Sequence, residues 1–237
     1  MPRSAPPAAP TAAAAPRWRR RPEERPTEIL DAALIEFGER GLANARLDDV
    51  ARRAGVAKGT IYLYFPTKHD LFRAMVRHLA TRALADFELR ADAGDGSVAR
   101  DQLHRYVEGL WAHVRGPIFD TLHRLTTGEL PEFPELMRFF VQETAEKALR
   151  ICAGIIRRGV AAREFRRVDP DTTARMIHAI VIKHGVWCAH RPQVPFVART
   201  TDAQVLREML DFIDHALLAG PPRPARRPAR RPRAARR

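Results

Sequence analysis

The segment Lys58-Gly-Thr-Ile-Tyr-Leu-Tyr64 places a cation, a hydroxyl and two phenols within seven residues. Lys58, Gly59 and Thr60 open a predicted helix, where unpaired amides and the positive end of the helix dipole favour phosphate oxygens. Tyr62 and Tyr64 carry hydroxyls that can bond a nucleic-acid backbone. Phe65 is the residue that points back and pins the segment to the fold. This is chemistry of anion recognition without bond making. Catalysis finds no comparable footing: nine histidines are scattered, with no H-E-x-x-H, no G-x-S-x-G and no phosphate-binding glycine loop. No catalytic residue, metal-ligand set or cofactor is assigned, and an enzyme is not expected. Cys152 and Cys188 lie far apart and form no C-x-x-C pair, so they read as small core residues in a reducing compartment.

Two short helices must position that segment. Leu47 to Ala54 presents Leu47, Val50 and Ala51 inward, and Lys58 to Tyr64 follows after Ala54-Gly55-Val56-Ala57. Gly55 supplies the positive φ that a tight helix-helix turn needs. Val50, Ala51, Val56 and Ile61 then form a small shared core, with Ala51 small where the helices approach. A first helix over about 27–40 carries the stripe Ile29, Ala33 and Phe37, with Thr27 as its expected cap and Gly41 as its stop. A capping box at Thr67-Lys-His-Asp70 opens a long helix over about 68–91. The whole is a helix-turn-helix whose second helix is shaped for a major groove.

The run Ala54-Gly-Val-Ala-Lys-Gly-Thr-Ile-Tyr-Leu-Tyr-Phe-Pro-Thr-Lys-His-Asp-Leu-Phe72 resembles the signature of the TetR family. The resemblance spans roughly 27–78. It implies an operator-binding transcription regulator, expected to be a repressor, acting as a homodimer on double-stranded DNA and answering to a small effector. By that resemblance Lys58, Gly59, Thr60 and Leu63 take positions that touch base edges or nearby backbone. Tyr62, Tyr64 and Lys68 take phosphate-binding positions, and Arg46 lies near the backbone at the start of the first motif helix. Two departures stand out. Ala45 occupies a position that is often Thr, which leaves Asn44 as the substitute cap. Leu63 replaces a frequent aromatic, so its contact is expected to be apolar, as with a thymine methyl.

Beyond the motif the pattern stays helical, near 99–115, 117–129, 133–161, 170–190 and 202–218, with caps at Asp169-Pro170 and Thr201/Gln204. Asp92-Ala-Gly-Asp-Gly-Ser97 interrupts the pattern. The expected fold is all-α. A Pro/Ala/Arg arm covers 1–26, a helix-turn-helix domain 27–78, a larger helical ligand-binding and dimerisation domain 79–219, and an Arg/Pro tail 220–237. The formal net charge of +13 sits mostly at the ends. Residues 1–25 hold six arginines against two glutamates, and 220–237 hold eight arginines and no acid. Such blocks read as flexible arms for nucleic acid, with added solubility as the plainer alternative. The order of basic and apolar residues at the N-terminus does not fit a signal peptide, and no membrane-length apolar run exists. A cytoplasmic location with no membrane partner is therefore expected.

The helices near 170–190 and 202–218 carry apolar residues on more than one face, including Met176, Ile177, Trp187, Phe212 and Ile213. Paired about a two-fold, they would make a four-helix dimer interface. Effector candidates are Trp111, Phe119, His123, Phe140, Met176, His178 and Trp187, with His113 and His184 beside them. Each also reads as ordinary packing or as a satisfied histidine. The expected effector is hydrophobic, with one polar contact from a histidine. The competing reading is a non-specific architectural DNA-binding protein dominated by its arginine tails. Competition with random DNA separates the two.

Overall fold

The computed structural model describes residues 25–92, 94 and 96–218. The predicted basic arm before residue 25 and the Arg/Pro tail after 218 lie outside the described residues. Among the described residues ten α-helices follow in order: α1 Arg25–Asn44, α2 Leu47–Ala54, α3 Lys58–Tyr64, α4 Lys68–Ala91, α5 Ala99–Val114, α6 Pro117–Gly128, α7 Pro134–Glu143, α8 Ala145–Ala161, α9 Pro170–Ala189 and α10 Asp202–Leu217. Short 3₁₀ turns occur at Leu130–Glu132 and Arg191–Gln193. Among the described residues there is no β-strand, only an isolated bridge between Phe165 and Leu218. The fold class is all-α, as the periodicity predicts.

Three local expectations are corrected. The first helix begins at Arg25, so Thr27 lies inside it rather than capping it. Pro26 suits a first helical turn, where its missing N–H is no loss. The single helix expected over 133–161 is broken at Thr144, with φ −114° and ψ −78°. There the Thr144 hydroxyl donates to the Phe140 carbonyl at 2.7 Å, a back-bond that competes with a continuing helix. At Thr67 the hydroxyl accepts from the Asp70 amide at 3.1 Å. The Asp70 carboxylate accepts a hydrogen bond from the Thr67 hydroxyl at 2.6 Å, so the box closes through side chains rather than through both amides. Thr201 and Gln204 form the complete capping box, and Asp169 caps α9 ahead of Pro170.

Two apolar cores share α4. The first gathers Ile29, Ala33 and Phe37 of α1, Val50 and Ala51 of α2, Ile61 of α3, and Leu71, Phe72 and Met75 of α4. It also takes Leu122 and Leu125 of α6, Leu130 of the 3₁₀ turn and Leu136 of α7. Phe37 and Phe72 meet edge to face at 6.0 Å between centroids. The second core is built from Phe87 of α4 and the inner faces of α5, α8, α9 and α10. α5 and α9 cross closely at Gly185, where any Cβ would collide with the Val114 side chain.

Candidate nucleic-acid interface

Helix α3 is set against α1, α2 and α4 by few anchors. Ile61 is its one buried residue, and Phe65, just past its end, packs into the first core. Gly55 has φ 68°, in the left-handed region, and its amide bonds carbonyls in the last turn of α2, which turns the chain toward α3. α2 is tied to α1 by Glu36, a carboxylate buried to 2% exposure. Its oxygens lie 2.8 Å from the Arg40 guanidinium and 3.1 Å from that of Arg53. Arg53 also bonds Glu39. The frame is apolar inside and ion-paired at its edge.

The sequence-predicted DNA contacts cluster on the outer side of that frame. Leu63 is 81% exposed, and Tyr62 and Tyr64 are exposed beside it. Gly59 has open space where a Cβ would stand. Lys58 is exposed and Thr60 half-buried. Arg46 is exposed at the N-cap position of α2, in extended conformation and without a side-chain cap bond. Asn44 does not cap that helix: its amide donates to the Arg40 carbonyl at 3.3 Å, and Ala45 is buried.

Two residues the sequence reading passed over organise these groups. Asp48, in the first turn of α2, accepts from the Lys58 ammonium at 2.8 Å and from the Tyr62 hydroxyl at 3.3 Å. The Lys58 ammonium also lies 5.9 Å from the Tyr62 ring centroid. The bond from Lys58 holds the Asp48 carboxyl below its ordinary range, and the same bond raises the Lys58 ammonium. The second is Glu129, just after α6. Its carboxylate accepts from the Ala43 amide at 3.0 Å, while the Ala43 carbonyl accepts from the Lys68 ammonium at 2.6 Å. The Ala43 peptide group is thus clasped from α6 on one side and from α4 on the other. Gly41, two residues earlier, has φ 77° and lies so close to Glu129 that any Cβ would strike its carboxylate.

The effector candidates fall into separate places. His123, Phe119 and His113 form consecutive ring contacts, continued through Phe87 and Tyr106 to His178. Trp111 is buried in the same core. The Tyr106 hydroxyl donates to the Ala148 carbonyl at 2.8 Å and lies 2.8 Å from His178 Nε2. With the phenol proton so placed, His178 Nε2–H must donate to the phenol oxygen. Burial lowers the His178 pKa to about 4, so the imidazole is neutral near pH 7, and burial lowers that of His113 as well. Phe140 instead packs against the first core. Met176 is 61% exposed on the outside of α9, and Trp187 contacts His184 and Phe196. An open groove of about 410 Å³ between α4 and α8 is lined by Leu84, Glu88, Lys147, Arg150 and Ile151, none of them a predicted effector residue. Among the described residues no group of acids, histidines and cysteines is placed to hold a metal ion, and no helix is long and apolar enough to cross a membrane.

Comparison with known proteins decides the family. The description "Bacterial regulatory proteins, tetR family" matches residues 29–75, and "AefR-like transcriptional repressor, C-terminal domain" matches 101–216. The chain belongs to the TetR family. The HTH-type transcriptional regulator YhgD of Bacillus subtilis is 31% identical over 157 residues, 64% of this chain and 77% of that protein. The fatty acid metabolism regulator protein of the same organism is 27% identical over 155 residues, 65% and 78% of the two chains. The crystal structure of Bacillus subtilis FadR in complex with stearoyl-CoA superposes with a TM-score of 0.66 at 21% identity, covering 80% of this chain and 98% of that one. This TetR-family chain is therefore a transcriptional regulator and not an enzyme.

Proposed function

We propose that the chain is a homodimeric, sequence-specific operator-binding regulator, probing the major groove with α3 and released from DNA by a small hydrophobic effector. The observation that carries the reading is Leu63. A leucine 81% exposed between two exposed tyrosines, on a helix held from behind by Ile61 and Phe65, gains nothing from folding. Its use is in a contact outside the chain. Lys58, Gly59 and Thr60 beside it are read as base-edge or near-backbone contacts. Tyr62, Tyr64, Lys68 and Arg46 are read as phosphate contacts.

The second half of the reading rests on α6 and on the outer faces of α9 and α10. Met176 and Phe212 are large apolar residues that their own core leaves uncovered, which supports a two-fold pairing through these helices. The ring series from His123 to His178 and the buried Trp111 support an effector site among α5, α6 and α9. The fatty acid regulator and the stearoyl-CoA-bound structure among the related proteins support an amphiphile with a long apolar part. A ligand there would push α6, whose end carries Glu129 onto the turn before α2. Binding of such a ligand to one arrangement of the head lowers affinity for DNA by linkage.

The test is selection of a duplex from a randomised library by the full-length protein, followed by titration of the selected site against a shuffled site. A specific regulator holds the selected site at moderate salt against excess shuffled DNA, and Leu63→Ala erodes that preference. Equal retention of the two sites overturns the reading. Titration with long-chain acyl thioesters, read by tryptophan fluorescence in wild type, Trp111→Phe and Trp187→Phe, tests the effector. The expected result is a signal carried by Trp111 together with loss of the selected DNA.

A further inference from the structure

Asp48 suits the first turn of α2 but is out of place for simple DNA affinity. It lies on the face read above as the DNA contact, where a carboxylate repels phosphate. Its partners are exposed, and exposed ion pairs add little to folding. The neighbouring Asp49 has a plain structural use, bonding Arg52 at 2.8 Å within α2 and lying 3.9 Å from Arg40 of α1. Asp48 instead bonds two groups of α3, both expected to touch DNA.

We propose that Asp48 is a specificity-determining residue: its carboxylate holds Lys58 in a position to read a base edge while denying that ammonium to phosphates. This rests on the reading of Lys58 and Tyr62 as DNA contacts. An ammonium has three N–H donors. One goes to Asp48, and two are left for acceptors on a base edge, such as O6 and N7 of guanine. Base reading therefore keeps the Asp48 pair. A phosphate contact by Lys58 does not, because it brings a second negative charge against the carboxylate and must draw the ammonium away from it. Random DNA offers this helix chiefly phosphates. The carboxylate thus weakens random binding more than operator binding, and the gap between the two widens.

The test compares full-length wild type, Asp48→Asn, Asp48→Ser, Lys58→Met and the Asp48→Asn/Lys58→Met double variant, each shown by circular dichroism to be folded. Binding is measured to a duplex selected by the wild type and to a shuffled duplex of the same composition, across a salt series. Asp48→Asn and Asp48→Ser are expected to tighten shuffled DNA by about 3- to 10-fold, with a salt slope steeper by about one unit, and to tighten the selected duplex less. In the Lys58→Met background the effect is expected to vanish. Equal tightening of both duplexes, or an effect that persists without Lys58, overturns the proposal and leaves Asp48 a general surface charge. Weaker binding to both duplexes also overturns it, because Asp48 then only orders α3. If Lys58→Met alone leaves both affinities unchanged, the reading of Lys58 as a DNA contact fails, and the proposal with it.

Discussion

At the scale of single residues, the buried pair Tyr106–His178 makes the sharpest predictions. Tyr106→Phe removes the hydroxyl that donates to the Ala148 carbonyl and accepts from His178, leaving the buried His178 Nε2–H unpartnered while the Ala148 carbonyl keeps its bond within α8. The expected cost is about 1–3 kcal/mol in a denaturant melt, with helix content retained. His178 also sets a pH dependence. Its pKa is depressed by burial to about 4 in the folded chain against about 6.5 when unfolded. Between those values the unfolded state binds a proton that the folded state refuses, so stability falls as pH drops from about 6.5 toward 4. A His178→Asn variant melted across that range should show a flatter profile; an unchanged profile would assign the loss to other groups. Much of the proposed DNA-contact face was legible because its residues lie within seven positions of each other. The Tyr106–His178 and Asp48–Lys58 bonds were not, since each joins residues of different helices and neither residue type announces its partner.

At the scale of elements, caps and breaks in the sequence located most helices, because proline and glycine act through the local backbone. The break at Thr144 escaped, because the apolar rhythm runs on from Leu136 and Phe140 to Ala148 and only a side-chain back-bond interrupts it. Helix crossings were also illegible, although their consequences are large. Gly185→Ala would drive a methyl group into Val114 where α5 and α9 touch, and overpacking of this kind costs about 1–3 kcal/mol. Val114→Ala in the same chain should recover part of the loss, a rescue readable by thermal melting. The clasp of α6 on the turn before α2 belongs to this scale too. Glu129→Ala leaves the Ala43 amide without its acceptor, and operator affinity should fall by several-fold while the fold stays intact. Unchanged DNA binding in this variant would remove α6 from the control of the head.

At the scale of the whole molecule, the first question is what holds two copies together. Phe212 and Ile213 are alike in the apolar pattern of α10, and the structure separates them. Phe212 is 58% exposed, whereas Ile213 is 2% exposed and packs in its own subunit's core. Phe212→Glu should give a folded monomer in sedimentation with operator binding lost, while Ile213→Glu should unfold the second core instead. A dimeric Phe212→Glu protein with normal binding would move the interface elsewhere. The first core carries a consequence for engineering. Leu122, Leu125, Leu130 and Leu136 complete a core otherwise made of α1 to α4, although some thirty residues or more separate them from α4 in the chain. A helix-turn-helix module cut at the break near 92–98 would leave the part of the first core that these leucines complete facing water. Transplanted onto a foreign effector domain, such a head would arrive with an open flank and aggregate. A chimera that carries residues 117–136 along with 25–92 should stay soluble, so the interchangeable part of this regulator is discontinuous in sequence.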